Sequence, residues 1–326
     1  MTDLYSLVKD TNAYQTVKME KESGRLSHAY LILTADKENL REYLKIFASL
    51  ITCDSIEPCK TCRNCSLIEQ NAHADVIFYP RTNALINTEE ITSLIEESYI
   101  KPIECSKKVF VLVGAESMNA QAQNKLLKTL EEPPANVCIL LGATSEYTLL
   151  STIKSRVKMI EIPAFNKEKL FNALSRELTD SERLSTAIAC SDGTVGSVKR
   201  LYADEKFQAV SSLCEEVICD MQSSKDVLKY STKIADSKAE IEEFLGVLEL
   251  LFRDMLVAKS DKNLVLNQNA YSKIKDAKGY STGAIVNALD KILQAKQRIK
   301  FNANPTMLID WVLFQILEGK YKWQKL

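Results

Sequence analysis

Four cysteines stand close enough in sequence to share one ion: Cys53, Cys59, Cys62 and Cys65, spaced C-x5-C-x2-C-x2-C in a polar stretch broken by Pro58. Each x2 spacing lets two thiolates turn back on one centre. Four soft anionic sulfurs suit tetrahedral Zn²⁺, and a site filled by four protein ligands leaves no place for a catalytic water, so the metal they imply is structural. Two other readings of the same residues stay open at this stage. Cys59, Cys62 and Cys65 are similar to part of a ferredoxin ligand set, although the following C-x3-C-P element is missing, and four free thiols in a surface loop are the bland case. The chain has nine cysteines, an odd number in a long sequence, which argues against a disulfide framework. The other five, Cys105, Cys138, Cys190, Cys214 and Cys219, are scattered among apolar neighbours and read as small core residues.

A second place where chemistry is expected is marked by what it lacks. A mononucleotide-binding ATPase follows its first strand with G-x-x-x-x-G-K-[ST], where glycines let backbone N–H groups cradle phosphates. Here His28-Ala29-Tyr30-Leu31-Ile32-Leu33 runs into Thr34–Arg41, with no glycine between Gly24 and Gly114. Leu40 falls where the phosphate lysine belongs, and Asp36 and Glu38 bring the wrong charge. The third strand should end in an Asp-Glu pair that organises Mg²⁺ and water, yet it ends in Val113-Gly114. Both halves of an ATP site are absent at the two positions the strand order assigns them.

The elements that position these residues follow from periodicity. Five β-rich runs, Ala29–Leu33, Val76–Tyr79, Val109–Val113, Val137–Gly142 and Val157–Ile162, alternate with helical patterns, which predicts a parallel sheet with crossover helices. The first crossover helix repeats Leu40, Tyr43, Leu44, Phe47, Ala48 and Ile51, with Asp36 as its N-cap. The next begins behind Thr88 and carries Ile91, Leu94, Ile95, Ser98 and Tyr99. Another carries Gln123, Leu126, Leu127 and Leu130 as a core face and stops at Pro133-Pro134. After Pro163 the strand pattern ends. Lys167 to about Asp204 reads as short helices interrupted at Gly193 and Gly196. Longer amphipathic helices follow, clearest at Glu240–Lys259 and Thr282–Lys300, with a last one after Pro305.

Bulk composition bounds the function classes. With 326 residues and 46% hydrophobic content the chain can bury two or three cores. Its 42 basic and 43 acidic residues give a net charge of -1, without the footprint of an autonomous nucleic-acid binder. Only Lys60 and Arg63 flank the cysteines, too few cations for a zinc-containing DNA-binding module. Met1–Asp10 lacks a signal-peptide core, and no apolar run approaches about 18 residues. The expectation is a cytoplasmic protein.

Three segments carry a resemblance: His28-Ala29-Tyr30, Asn124-Lys125-Leu126-Leu127-Lys128-Thr129-Leu130-Glu131-Glu132-Pro133-Pro134, and Leu149-Leu150-Ser151-Thr152-Ile153-Lys154-Ser155-Arg156. They resemble the clamp-loader family of bacterial DNA polymerase III, part of the AAA+ class, densely over the first half and thinly over the second. The cysteines fall where that family carries its zinc module, and Phe301-Asn302-Ala303-Asn304-Pro305 before an apolar helix is similar to its oligomerising collar. Two departures are a shorter first cysteine gap and Val157 after Ser155-Arg156, where cysteine is common.

The resemblance implies a degenerate AAA+ module over 1–163 with a five-stranded parallel sheet and flanking helices, an all-α lid over 164–205 and an all-α collar over 206–326. Loss of the phosphate loop places the chain with the delta-prime branch of the family rather than with the motor subunits called gamma or tau. An active gamma/tau-like ATPase with an unusual loop is the alternative. The resemblance also implies that Arg156 acts in trans as an arginine finger, and that Gly196 stands where motor subunits carry a nucleotide-sensing arginine. It implies structural Zn²⁺, no ATP bound by this chain, and as partners the gamma/tau and delta subunits, the sliding clamp and primer-template DNA. The tail Tyr321–Leu326 reads as frayed.

Overall fold

Runs of Val, Ile, Leu and Phe with no charge inside them must be covered on both faces, and such runs form the interior strands of the sheet. In this computed structural model, which describes residues 4–81, 85–234, 238–300 and 304–323, five strands form one parallel sheet. They are β1 (Ala29–Leu33), β2 (Val76–Tyr79), β3 (Lys108–Val113), β4 (Val137–Ala143) and β5 (Lys158–Glu161), in the order β2-β3-β4-β1-β5. Register pairs Tyr30 with Leu140 on one side and with Lys158 on the other, so β1 is interior. Every residue of β4 is buried, as expected for a strand covered on both faces. The predicted strands all form, within a residue at their ends.

The described chain divides into two compact units, Met1–Ala173 with Thr194–Gly196, and Leu174–Gly193 with Ser197–Leu326. The first holds the sheet together with α1 (Leu4–Val8), α2 (Asn12–Glu22), α3 (Leu40–Thr52), α4 (Arg63–Glu69), α5 (Thr88–Ser98), α6 (Ala120–Glu131), α7 (Ser151–Lys154) and most of α8 (Lys167–Leu174). Leu31, Phe110, Leu112, Ile139 and Leu141 pack on one sheet face with Ile91 and Leu94 of α5 and Leu126 and Leu130 of α6. On β4, Gly142 lets α3 approach: a Cβ there would stand 2.5 Å from Leu44 Cδ1. α1 was not expected from sequence, because a five-residue helix shows too little periodicity.

Two helix starts differ from expectation. Asp36 does not cap α3; the cap position is Asn39, and Asp36 instead accepts hydrogen bonds from the Asn39 backbone and side chain. Asn87, not Thr88, caps α5, its Oδ1 accepting from Glu90 N–H at 2.9 Å. α6 starts behind Asn119 and ends before the proline pair, as predicted.

The second unit is helical. α9 (Ser181–Cys190) is followed by α10 (Val195–Ala203), so Gly193 interrupts a helix but Gly196 lies inside one, a correction to the predicted break. α11 (Glu205–Asp220), α12 (Ser224–Ser231), α13 (Lys238–Val257), α14 (Gln268–Ile274), α15 (Thr282–Lys300) and α16 (Pro305–Lys322) complete it. Its core gathers Phe207, Phe244, Phe252, Ile285, Ile292 and Val312, with Phe252 edge-on to Tyr280 at 5.3 Å. Truncating one such phenylalanine to alanine costs about 3–5 kcal/mol. Asp254 is fully buried and accepts from the N–H groups of Leu266 and Asn267 and from Arg253. Asn267 in turn caps α14.

Of the collar-like motif, Phe301, Asn302 and Ala303 lie outside the described residues; Asn304 caps α16 through Met307 N–H. The tail differs from the frayed reading where it is described. Tyr321 and Lys322 are helical, and Trp323 covers Gly283, where a Cβ would meet its ring at 2.6 Å. Residues 324–326 lie outside the described residues.

Candidate functional site

The loop between α3 and α4 brings the four cysteines together. Their Sγ atoms all lie within 4.8 Å of one another, Cys53 and Cys62 at 3.9 Å. Four sulfurs around Zn²⁺ with bonds of about 2.3 Å would stand about 3.8 Å apart, so the set fits a tetrahedral ion with little movement. Cys53, at the end of α3 across the short first gap, is among the four.

Local backbone turns create this geometry. Lys60 takes a left-handed φ of 60°, turning the chain between Cys59 and Cys62. Cys62 N–H donates to Cys59 Sγ at 3.2 Å, and Cys65 N–H to Cys62 Sγ at 3.4 Å, which favours thiolates. Cys62 thereby caps α4. The backbone N–H groups of Thr61 and Cys62 pull the Cys59 thiol down to about 6, whereas burial pushes the Cys65 thiol well up. Lys21 of α2 ties the loop from the other side, donating to Cys53 O and Ser55 O at 2.5 Å each. Its ammonium also offsets the negative charge four thiolates would bring.

Cys105 corrects the reading of five core cysteines. Cys138 and Cys214 are buried, but Cys105 is half-buried, with Sγ 3.4 Å from His73 Nε2 and 4.0 Å from Thr52 O. Cys190 and Cys219 are also only partly buried, against the helical core. Asp75 holds the 103–105 turn that carries Cys105 by accepting from Ile103, Glu104 and Cys105 N–H groups at 2.6–3.0 Å. Burial alone would raise its carboxyl, but those three donors hold it below the usual range. A lone aspartate before a strand gives no sequence signal for such a role.

Thr34–Arg41 lies after β1, where a phosphate loop would be, with Asp36 buried and Glu38 exposed. Asp36 is buried and accepts from Asn39, from Tyr43 Oη at 2.8 Å and from Gly196 N–H at 3.1 Å. A Cβ on Gly196 would stand 2.5 Å from both Asp36 Oδ1 and Glu38 Oε2. No arginine fits there unless both carboxylates move. At the other half of the site, Gly114 has a φ of 77°, and Glu116 Oε1 accepts from Thr144 N–H and Oγ1 at 2.9 and 2.6 Å, joining the ends of β3 and β4.

Arg156 sits in the turn between α7 and β5 with its side chain about one-third exposed. Its Nη2 meets Glu131 Oε1 at 2.6 Å, and Nη1 donates to Thr152 O at 2.9 Å and Ser155 Oγ at 3.2 Å. Gln123, read from the sequence as part of a core face, is also a polar tie. It donates to Met118 O and Thr148 O and accepts from Leu150 N–H, fixing the segment that leads into α7.

Against known proteins, residues 9–166 match the family described as "DNA polymerase III, delta subunit". The chain is 26% identical to DNA polymerase III subunit delta' of Bacillus subtilis over 91% of its own length and 93% of that protein's. With subunit tau of the same organism it shares 25% identity over 78% of this chain and 43% of that one. A gamma subunit-related protein of Thermotoga maritima superposes with a TM-score of 0.44 at 19% identity, over 95% of this chain and all of that one.

Proposed function

We propose, from its similarity to subunits of bacterial DNA polymerase III, that this chain is a delta-prime-like clamp-loader subunit with no ATP of its own. It lends Arg156 in trans to the nucleotide of a neighbouring motor subunit. The observation that carries this reading is the acidic phosphate position: Asp36 and Glu38 present carboxylates where a nucleotide would present phosphates, and a side chain at Gly196 would have to displace both. Like charges repel, most strongly at Asp36, which is buried.

On this reading the subunit assembles with gamma/tau and delta subunits and helps place the sliding clamp on primer-template DNA. Its guanidinium spreads permanent charge over γ-phosphate oxygens as the transition state loads them. Cys53, Cys59, Cys62 and Cys65 hold a structural Zn²⁺ that contributes folding energy to the α3–α4 loop and takes no part in hydrolysis. The division into a module at 1–163, a lid at 164–205 and a collar at 206–326 belongs to the same proposal, as does a place in the cytoplasm. Among the described residues no helix is long and apolar enough to cross a membrane.

Calorimetric titration of the isolated chain with ATP and Mg²⁺ tests the reading. No binding heat is expected. Micromolar affinity would move the chain to an active gamma/tau-like ATPase.

A further inference from the structure

Resting on the trans role of Arg156, we propose that Glu131 is the positioning residue for that arginine: it holds the guanidinium between turnovers and gives it up to the γ-phosphate of the neighbouring subunit's ATP.

Three observations converge on the pair. First, the arginine is held rather than free. One edge of its planar fork is taken by Glu131 and the other by the Thr152 carbonyl and the Ser155 hydroxyl. The local turn therefore orients the group, and Glu131 occupies the edge that an anion would otherwise take.

Second, Glu131 stands against its local electrostatics. It is the last residue of α6, at the negative end of the helix dipole, where a cation would be favoured. Pro133-Pro134 fixes that end of the helix, so the position of the carboxylate is set by the backbone. Arg156 offsets the unfavourable placement, which gives the carboxylate a reason to be there.

Third, the pair is exchangeable. Both side chains are partly open to solvent, 34% for Arg156 and 48% for Glu131. An exposed ion pair of this kind is worth little. A γ-phosphate offers more charge and several oxygens to the same fork, so it displaces one carboxylate. The chemistry that follows leaves the arginine unchanged. Water forms the new bond to the γ-phosphorus, the bond to the β–γ bridging oxygen breaks, ADP leaves with that electron pair, and the water proton passes to solvent.

Glu131 thus competes with the nucleotide for the finger, and removing its charge should favour phosphate binding without altering the chemical step. The test is steady-state ATP hydrolysis by a loader reconstituted with wild-type, Glu131→Gln, Glu131→Asp, Arg156→Ala or doubly substituted subunit, with assembly checked by gel filtration. Glu131→Gln should lower KM for ATP about two- to fivefold, the range an exposed pair can supply, with kcat unchanged. Glu131→Asp, which keeps the charge, should return KM toward wild type. In the Arg156→Ala background Glu131→Gln should have no effect. An unchanged KM, a fall in kcat, or the same KM change without Arg156 overturns the inference. Hydrolysis unaffected by Arg156→Ala alone overturns the trans reading on which it rests, and is a separate result.

Discussion

Four thiols within 4.8 Å of one another are stable as thiolates only with a cation among them, and this gives the cysteine cluster its clearest consequence. Protein purified without added metal should carry one zinc per chain and no visible absorption. Iron with a brown colour, or no metal at all, would remove the zinc assignment. Because the Cys65 thiol is held protonated by burial, loading the metal-free protein near pH 7 should release protons, and affinity should fall with falling pH. Cys62→Ser should lose the metal and lower the thermal midpoint by several degrees, about 2–4 °C for each kcal/mol lost. The cysteine cluster was legible in the sequence because its spacing announced it, whereas the role of Arg156 came from the resemblance alone. Asp75, Glu116 and Glu131 were not legible, since each acts through a partner 25 to 30 residues away in sequence.

Elements were legible where periodicity was long. The five strands and the span Thr282–Lys300 were readable, whereas caps were misassigned by one residue at Thr88 and by three at Asp36. Asp36 has the residue type of a cap but was drawn into hydrogen bonds with Tyr43 and Gly196, a competition that no local pattern reveals. At this scale the last two helices carry unspent apolar surface. Met307, Phe314 and Tyr321 are exposed on α16 at a spacing of seven, as are Val286 and Leu293 on α15. Residues seven apart share a helix face, and an exposed apolar row suits the proposed collar. Phe314→Glu should leave the fold intact, since that ring is already 37% exposed. It should weaken assembly with the motor subunits at least tenfold, or about 1.4 kcal/mol. Gel filtration of mixtures across a dilution series reads this, and unaltered assembly would assign the row no role in the collar.

At the scale of the whole molecule, the proposed function separates a nucleotide site from a trans arginine. The strands that would carry a phosphate loop and an Asp-Glu pair keep their places in the sheet, while the residues at their ends have turned to internal contacts: Asp36 with Gly196, and Glu116 with Thr144. Sheet order depends on the apolar pattern and does not require the polar residues of a nucleotide site. Arg156, on the turn into β5, remains partly exposed. On the proposed reading, a chain without ATP of its own that presents a held arginine is suited to act on a partner's. The most direct test is clamp- and DNA-stimulated ATP hydrolysis by a fully assembled loader carrying Arg156→Ala or Arg156→Lys in this subunit. The expected result is normal assembly and zinc content with a clear loss of stimulated hydrolysis. Arginine fingers are worth about 10³–10⁵ at a single site, diluted here by the other sites, and lysine should restore little of it. Unchanged hydrolysis and clamp loading by the assembled Arg156→Ala complex would contradict the account and leave the chain a scaffold.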